Sequence, residues 1–205
     1  MLYELLQKGR MDTKLYTVKD DLDFLRQVSE PVDFSDRSYL KNVETLRQYC
    51  RGHAVFALAP VQIGIPKRII YLKNTSTDLA KNYDENYDES KVLINPVFTF
   101  QRGETEYWET CQSCLKNCAL VKRPYAITVE YFDVNGDKHK EEIEGFAATV
   151  LSHERDHLDG ILHMDRVEKF IEMEVDERIK LREKEPYKII SKTGEFRYKK
   201  GRSKR

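Results

Sequence analysis

The stretch GFAATVLSHERDHLDG, residues 145–160, decides the fold class, because a metal-binding pattern directly follows an apolar run. The segment predicts a buried helix over 145–159 that Gly160 ends. His153 and His157 are four residues apart, so both imidazoles lie on one face of this helix and can bind one divalent metal ion. Glu154 lies on the adjacent face, where its carboxylate can take a proton from a water molecule that attacks a carbonyl. The pattern therefore predicts a metallohydrolase.

Such a catalytic site needs a third protein ligand, and the sequence offers two alternatives. The first is His163, because the extended pattern HExxHxxGxxH is the signature of metzincin zinc proteases. This alternative requires a chain reversal at Gly160 and, further downstream, a turn that contains methionine. Met164 lies too close to His163 for that turn, and Met173 lies in a charged segment that predicts a helix.

The second alternative is a cysteine thiolate. Three of the four cysteines lie within eight residues, at positions 111, 114 and 118, and the fourth is Cys50. In a chain without an export signal, clustered thiols suit metal binding or catalysis better than disulfides. Cys111 and Cys114 also form a CxxC pair, which is half of a structural zinc site, but the sequence has no second pair.

The rest of the chain predicts short strands between two flanking helices. Apolar residues at helical spacing between positions 40 and 50 predict an N-terminal helix, capped at Ser35 or Asp36 and ended by Gly52. The segment 168–184 predicts a C-terminal helix. Strands are predicted at 67–72, 92–97, 126–132 and 138–143. The second of these is interrupted at Asn95-Pro96, and a turn at 133–136 connects the last two. The segment 54–65 predicts a buried strand or loop, and the segment 73–91 predicts a polar loop.

These elements predict an α+β fold in which short antiparallel strands pack around one buried metal-binding helix. The chain has 205 residues, of which 40% are hydrophobic, 34% charged and 11% aromatic, so a single domain with a core is expected over residues 1–190. No apolar run approaches the roughly 18 residues that span a bilayer. The N-terminus also lacks the apolar stretch of a signal peptide. We expect a soluble, cytoplasmic protein without a membrane partner.

The net charge is zero but is unevenly placed along the chain. The last fourteen residues, from Lys192 to Arg205, carry seven basic side chains and one acidic one. We expect a basic, flexible C-terminal arm over residues 191–205. Two roles stay open for it: a solvated end, or a contact with nucleic acid or the ribosome.

Three separated segments resemble the three motifs of the peptide deformylase family. The third motif, HExDHxxG, is matched at every defined position by residues 153–160. The second motif, EGCLS, is matched by Glu109, Cys111 and Ser113, whereas Thr110 replaces the glycine and Gln112 replaces the leucine.

The first motif of the family, GxGLAAPQxG, aligns without a gap to residues 55–64. Leu58, Ala59, Gln62 and Gly64 match it, and the residues at positions 55, 57, 60 and 61 do not. Segments outside the motifs, such as Asn95-Pro96, agree with the family as well. The resemblance covers about residues 15–170 in the right order and spacing.

The resemblance implies which residues bind the metal and move the proton. Cys111, His153 and His157 would bind one divalent metal ion, and Glu154 would be the general acid and base. The metal would be ferrous iron, which nickel, cobalt or zinc readily replaces. The resemblance gives no role to Cys114 and Cys118.

The resemblance also implies the residues that contact the substrate and support the ligands. The side chain of Gln62 and the backbone N–H of Gln112 would donate hydrogen bonds to the formyl oxygen. Glu109 and Arg123 would form an ion pair that holds the cysteine loop. The methionine side chain of the substrate would lie against Phe56, Ala57, Tyr107, Phe146, Thr149 and Val150.

The function that the resemblance implies is hydrolytic removal of the formyl group from N-formyl-methionyl peptides as they leave the ribosome. Two alternatives stay open. One is a non-catalytic relative that binds peptides or the ribosome, and the other is a metzincin-like endopeptidase that uses His163. The basic arm is expected to be dispensable for cleavage of short peptides. The native metal, the preferred peptide and the oligomeric state stay open.

Overall fold

The computed structural model describes residues 13–53, 55–73 and 91–198. Within these ranges the α-helices are α1 (Leu22–Leu25), α2 (Tyr39–Gly52), α3 (Phe146–Leu158) and α4 (Val175–Lys184). One antiparallel sheet contains β1 (Ala57–Leu58), β2 (Ile69–Leu72), β3 (Lys91–Thr110), β4 (Asn117–Arg123), β5 (Ala126–Phe132), β6 (Lys138–Glu144), β7 (Ile171–Glu172) and β8 (Lys188–Glu195). This mixture of helices and antiparallel strands confirms the predicted fold class. Among the described residues, no helix has the length and apolar character needed to cross a membrane.

Strand β3 is the centre of the sheet, because it pairs with β2 and β5 along its first half and with β4 and β8 along its second half. The predicted strand break at Asn95-Pro96 is wrong, because the 20-residue strand β3 runs through these two residues. Asn95 instead adopts a φ of 51°, and the pairing with β5 shifts register between Ile94 and Val97. The interruption is therefore a bulge, which asparagine tolerates better than most residues.

Helix α3 is the buried helix predicted over residues 145–159, and its bounds confirm that prediction. Ala147, Ala148 and Leu151 have no exposed surface and pack in the main core of the protein. Gly160 follows with a φ of 70°, and a Cβ atom there would lie 2.0 Å from the carbonyl oxygen of Arg26. Only glycine permits this close turn, which ends the helix and reverses the chain.

Helix α2 confirms the predicted N-terminal helix. Val43, Leu46 and Cys50 lie on its buried face and form part of a second core. The helix begins at Tyr39, later than the predicted cap, because the backbone N–H of Ser38 donates to Asp36 across 2.8 Å in a turn that precedes it.

The C-terminal region differs most from the prediction. Helix α4 begins at Val175 instead of near residue 168, since β7 pairs with β4 before it. Strand β8 extends to Glu195, and Phe196 beyond it is only 9% exposed. The predicted domain boundary at residue 190 and the flexible arm are therefore wrong for residues 191–198. Residues 199–205 of the arm, and 74–90 of the predicted polar loop, lie outside the described residues.

Candidate active site

The structure brings the three predicted metal ligands together. One potential ligand atom each from Cys111, His153 and His157 lies within 4.8 Å of the other two. The histidines come from α3, and Cys111 directly follows the end of β3. The Sγ atom of Cys111 lies 3.3 Å from Nε2 of His157. Two imidazoles and a thiolate are donors that zinc, iron, nickel and cobalt accept, so this cluster fits a divalent metal ion.

A buried ion pair orients one of these ligands. The Nδ1 atom of His153 donates to Glu109 across 2.8 Å, which leaves Nε2 of His153 directed to the site. Glu109 also accepts two hydrogen bonds from Arg123, at 2.7 and 2.8 Å. Burial by itself would raise the pKa of Glu109, but the Arg123 charge and its hydrogen bonds hold that pKa well below its usual range. The predicted Glu109–Arg123 pair is thus present and contacts the candidate ligand His153.

The same arginine has further partners that the sequence did not reveal. Arg123 is fully buried and also pairs with Asp156, the aspartate of the HExDH pattern. Asp156 in turn accepts a hydrogen bond from Nε of Arg166 at 2.9 Å. Tyr198, from the C-terminal region, has its hydroxyl 3.1 Å from Arg123. Asp156 is a defined position of the HExDH motif, which could have indicated a role for it. No motif contains Tyr198, so nothing in the sequence indicates that its hydroxyl contacts Arg123.

Glu154 lies beside the cluster and is 6% exposed. Its Oε2 atom has no hydrogen-bond partner among the described residues. Burial raises the pKa of Glu154 to about 7, against the opposing effect of the His153 charge. A buried carboxylate with a free oxygen and a pKa near neutrality suits the transfer of a proton to and from a water molecule.

Both glutamines adjoin Cys111, Gln62 in space and Gln112 along the chain. The Nε2 atom of Gln62 lies 3.0 Å from Oγ of Ser113 and 3.4 Å from Sγ of Cys111. Its Oε1 atom accepts the backbone N–H of Ala59 at 3.2 Å, which directs the amide group towards the cysteine. Gln112 begins the 3₁₀ turn Gln112–Cys114 that directly follows Cys111.

A cavity of about 300 Å³ opens next to the cluster. Tyr107 and Phe146 form one wall, with their rings 5.2 Å apart in an edge-to-face arrangement. The hydroxyl of Thr149 lies 3.2 Å from that of Thr105. All of the predicted pocket residues line the cavity, namely Phe56, Ala57, Tyr107, Phe146, Thr149 and Val150. Arg182 lines it too, which the sequence did not predict.

The alternative ligand His163 lies near the cluster but outside it. The reversal at Gly160 brings its ring centroid to 5.6 Å from that of His153, and its Nε2 atom lies 3.3 Å from the carbonyl oxygen of Asn117. Burial lowers the pKa of His163, and the nearby His153 adds to this effect. Cys111, His153 and His157 form the one ligand group of this kind among the described residues, so the geometry favours Cys111 over His163.

The fold and the site together are those of a metallohydrolase, and the cluster of Cys111, His153 and His157 is its candidate metal site. The sequence model of the polypeptide deformylase family matches residues 13–172. The peptide deformylase of Rhizobium meliloti is 38% identical over 146 residues, which are 71% of this chain and 80% of that protein. That of Mesorhizobium japonicum is 33% identical over 169 residues, covering 81% and 92% of the two chains.

A solved structure agrees with these relatives. The peptide deformylase of Synechococcus elongatus in complex with actinonin superposes with a TM-score of 0.66 at 27% identity, and the match covers 86% of this chain and 87% of that one. The chain therefore belongs to the polypeptide deformylase family, whose members use a single metal ion to hydrolyse the N-formyl group from newly made peptides.

Proposed function

We propose that Cys111, His153 and His157 hold the metal ion of this deformylase, and that the ion is ferrous iron, with nickel, cobalt or zinc as replacements. The proximity of the three side chains and the Glu109 contact to His153 support this ligand set. When bound, the metal supplies Lewis acidity and lowers the pKa of a coordinated water molecule towards about 7.

Glu154 carries the proton in this mechanism. It takes a proton from the water that attacks the formyl carbon and gives it to the amine nitrogen that leaves. The observation that carries the proposal is that the Oε2 atom of Glu154 is buried and has no hydrogen-bond partner among the described residues. Glu154 also lines the cavity together with Cys111 and His153.

Gln62 and Gln112 stabilise the negative charge that develops on the formyl oxygen. The side-chain amide of Gln62 donates from one side, and its orientation by Ala59 and Ser113 supports this role. The backbone N–H of Gln112 donates from the other side, and the exchange of leucine for glutamine at this position leaves that donor intact.

The substrate is an N-formyl-methionyl peptide, and the cavity receives its methionine side chain. Phe56, Tyr107 and Phe146 give the cavity aromatic walls, against which a thioether packs favourably. Ala57, Thr149 and Val150 complete the lining.

The enzyme works in the cytoplasm, where its substrates leave the ribosome. The basic arm over residues 191–205 contacts the ribosome through its phosphates. Such binding decreases steeply as the salt concentration increases, because it depends on neutralised phosphates.

The change Glu154→Gln tests the proposed role of the proton carrier. We expect the variant to keep its metal ion, because Glu154 is not a ligand, while kcat for formate release decreases by roughly 10²–10⁴-fold. Metal content by mass spectrometry and formate release are measured on the same preparation. Glu168→Gln, on the exposed surface, is the matched control and should behave like the wild type. A Glu154→Gln enzyme with more than about a tenth of the wild-type kcat would contradict the role.

A further inference from the structure

The chain segment that follows the family match contributes a cation to the cleft. The family model ends at residue 172, and Arg182 lies beyond it on α4. Arg182 is half-buried and lines the same cavity as Tyr107 and Gln112. The cleft therefore contains a side chain that the three family motifs do not supply.

The guanidinium group of Arg182 is held in place on one side. Its Nε and Nη2 atoms donate to the carbonyl oxygen of Trp108 at 3.0 and 2.7 Å. Nη2 also donates to Oγ1 of Thr110 at 3.0 Å, and the group lies 4.9 Å from the ring centroid of Tyr107. The remaining nitrogen, Nη1, has no hydrogen-bond partner in the described ranges, so an oriented donor stays available to a ligand.

Within the described ranges, no side chain forms an ion pair with Arg182. Its partners are a carbonyl and a hydroxyl group, and no carboxylate of the described residues lies within ion-pair distance. The nearby carboxylate of Glu185 accepts the indole N–H of Trp108 at 2.8 Å instead. Glu109, which also lines the cavity, is bound to Arg123 and His153. A fixed guanidinium with a free edge is well suited to bind a carboxylate.

We propose that Arg182 is a specificity-determining residue that binds a carboxylate of the substrate downstream of its methionine. This inference rests on the proposed function, because it assumes a formyl-methionyl peptide in the cleft. With the formyl group at the candidate metal ligands and the methionine side chain against the wall that Tyr107 and Phe146 form, the following residues of the peptide pass Arg182, which lines the same cavity. The enzyme then prefers peptides with an acidic side chain at the second or third position.

Matched pairs of peptide amides test this preference, since the amide removes the C-terminal carboxylate. One pair is formyl-Met-Asp-Ser amide and formyl-Met-Asn-Ser amide, and in the other pair aspartate or asparagine stands at the third position. At low salt we expect kcat/KM to be about fivefold higher for the aspartate peptide than for the asparagine peptide in at least one pair. This aspartate-to-asparagine ratio should decrease as salt is added, because salt screens the charge of Arg182. Arg182→Gln should reduce the ratio to about one, and Arg182→Lys should keep part of it.

Lys180→Gln is the matched control, because it removes the same charge from an exposed position of the same helix. Its aspartate-to-asparagine ratio should equal that of the wild type. Binding of the deformylated products Met-Asp-Ser amide and Met-Asn-Ser amide to the wild type, measured by calorimetry, gives a second readout that needs neither turnover nor a variant. We expect the same preference there.

Two outcomes would overturn the inference. One is an aspartate-to-asparagine ratio near one for the wild type in both pairs and in product binding. The other is an Arg182→Gln variant that loses activity on both members of a pair equally and keeps their ratio, since Arg182 would then only attach α4 to β3. Failure of the wild type to release formate from any of the four peptides would instead refute the proposed function, and the inference with it.

Discussion

Arg123 connects the candidate metal ligands to the core of the protein. It is fully buried between the carboxylates of Glu109 and Asp156, and Glu109 holds the ring of His153. Two buried carboxylates near a metal site would be costly to ionise without such a cation. The arginine therefore explains why the acidic residues of the second and third motifs lie together, and it keeps His153 oriented through a carboxylate.

Cys111→Ala and His163→Ala distinguish the two possible ligand sets. We expect Cys111→Ala to lose both its metal and its formate release, because a three-ligand site loses one donor. His163→Ala should keep both, since His163 lies outside the cluster. Cys114→Ala, which alters a buried cysteine of the same loop, is the control and should also keep its metal. Metal per protein is measured by mass spectrometry after dialysis, and the reverse pattern would support a metzincin-like site.

Strand β8 is the element that joins the C-terminal region to the sheet. It pairs with β3 from Arg102 to Glu106. Gly103 permits this contact, since it has a φ of 67° and a Cβ atom there would lie 2.5 Å from the carbonyl oxygen of Ser191. Beyond the strand, Phe196 is buried and Tyr198 reaches Arg123. The end of the described chain thus contacts the arginine that supports the candidate metal ligands.

Two truncations test the contribution of this element to stability. A protein that ends at Tyr198 should melt like the full chain and keep its activity on short peptides. A protein that ends at Ser191 loses the end of β8 and the burial of Phe196, which contributes about 1.5–3 kcal/mol. In a chain of this size we expect its Tm to decrease by roughly 3–12 °C. Differential scanning calorimetry measures the difference, and equal melting temperatures would show that residues 192–198 do not stabilise the domain.

At the scale of the whole molecule, local signals predicted helix α3, and the resemblance named residues that line the cavity beside it. The apolar run before His153 and the glycine after it marked α3, and the third motif named two of the three candidate metal ligands that the structure brings together. The full length of β3 could not be predicted, because the pair Asn95-Pro96 taken alone indicates the end of a strand. In the structure, pairing with β2 and β5 on the two sides of β3 keeps the chain extended through these residues.

The C-terminal region was missed for a related reason. The sequence KIISKTGE of β8 is rich in polar and basic residues, and it becomes a strand because β3 offers it a pairing edge. The contacts of Arg182 and Tyr198 depend on residues more than 70 positions away. Local pattern carries no information about such contacts.

Release of formate from formyl-Met-Ala-Ser shows whether the protein is a deformylase. We predict that the full-length protein, loaded with ferrous iron and kept free of oxygen, releases one formate per peptide and leaves Met-Ala-Ser intact. A chelator should abolish the reaction, and acetyl-Met-Ala-Ser should not be cleaved. A folded, metal-loaded protein that releases no formate, or that cleaves the bonds between the amino acids instead, would contradict the account.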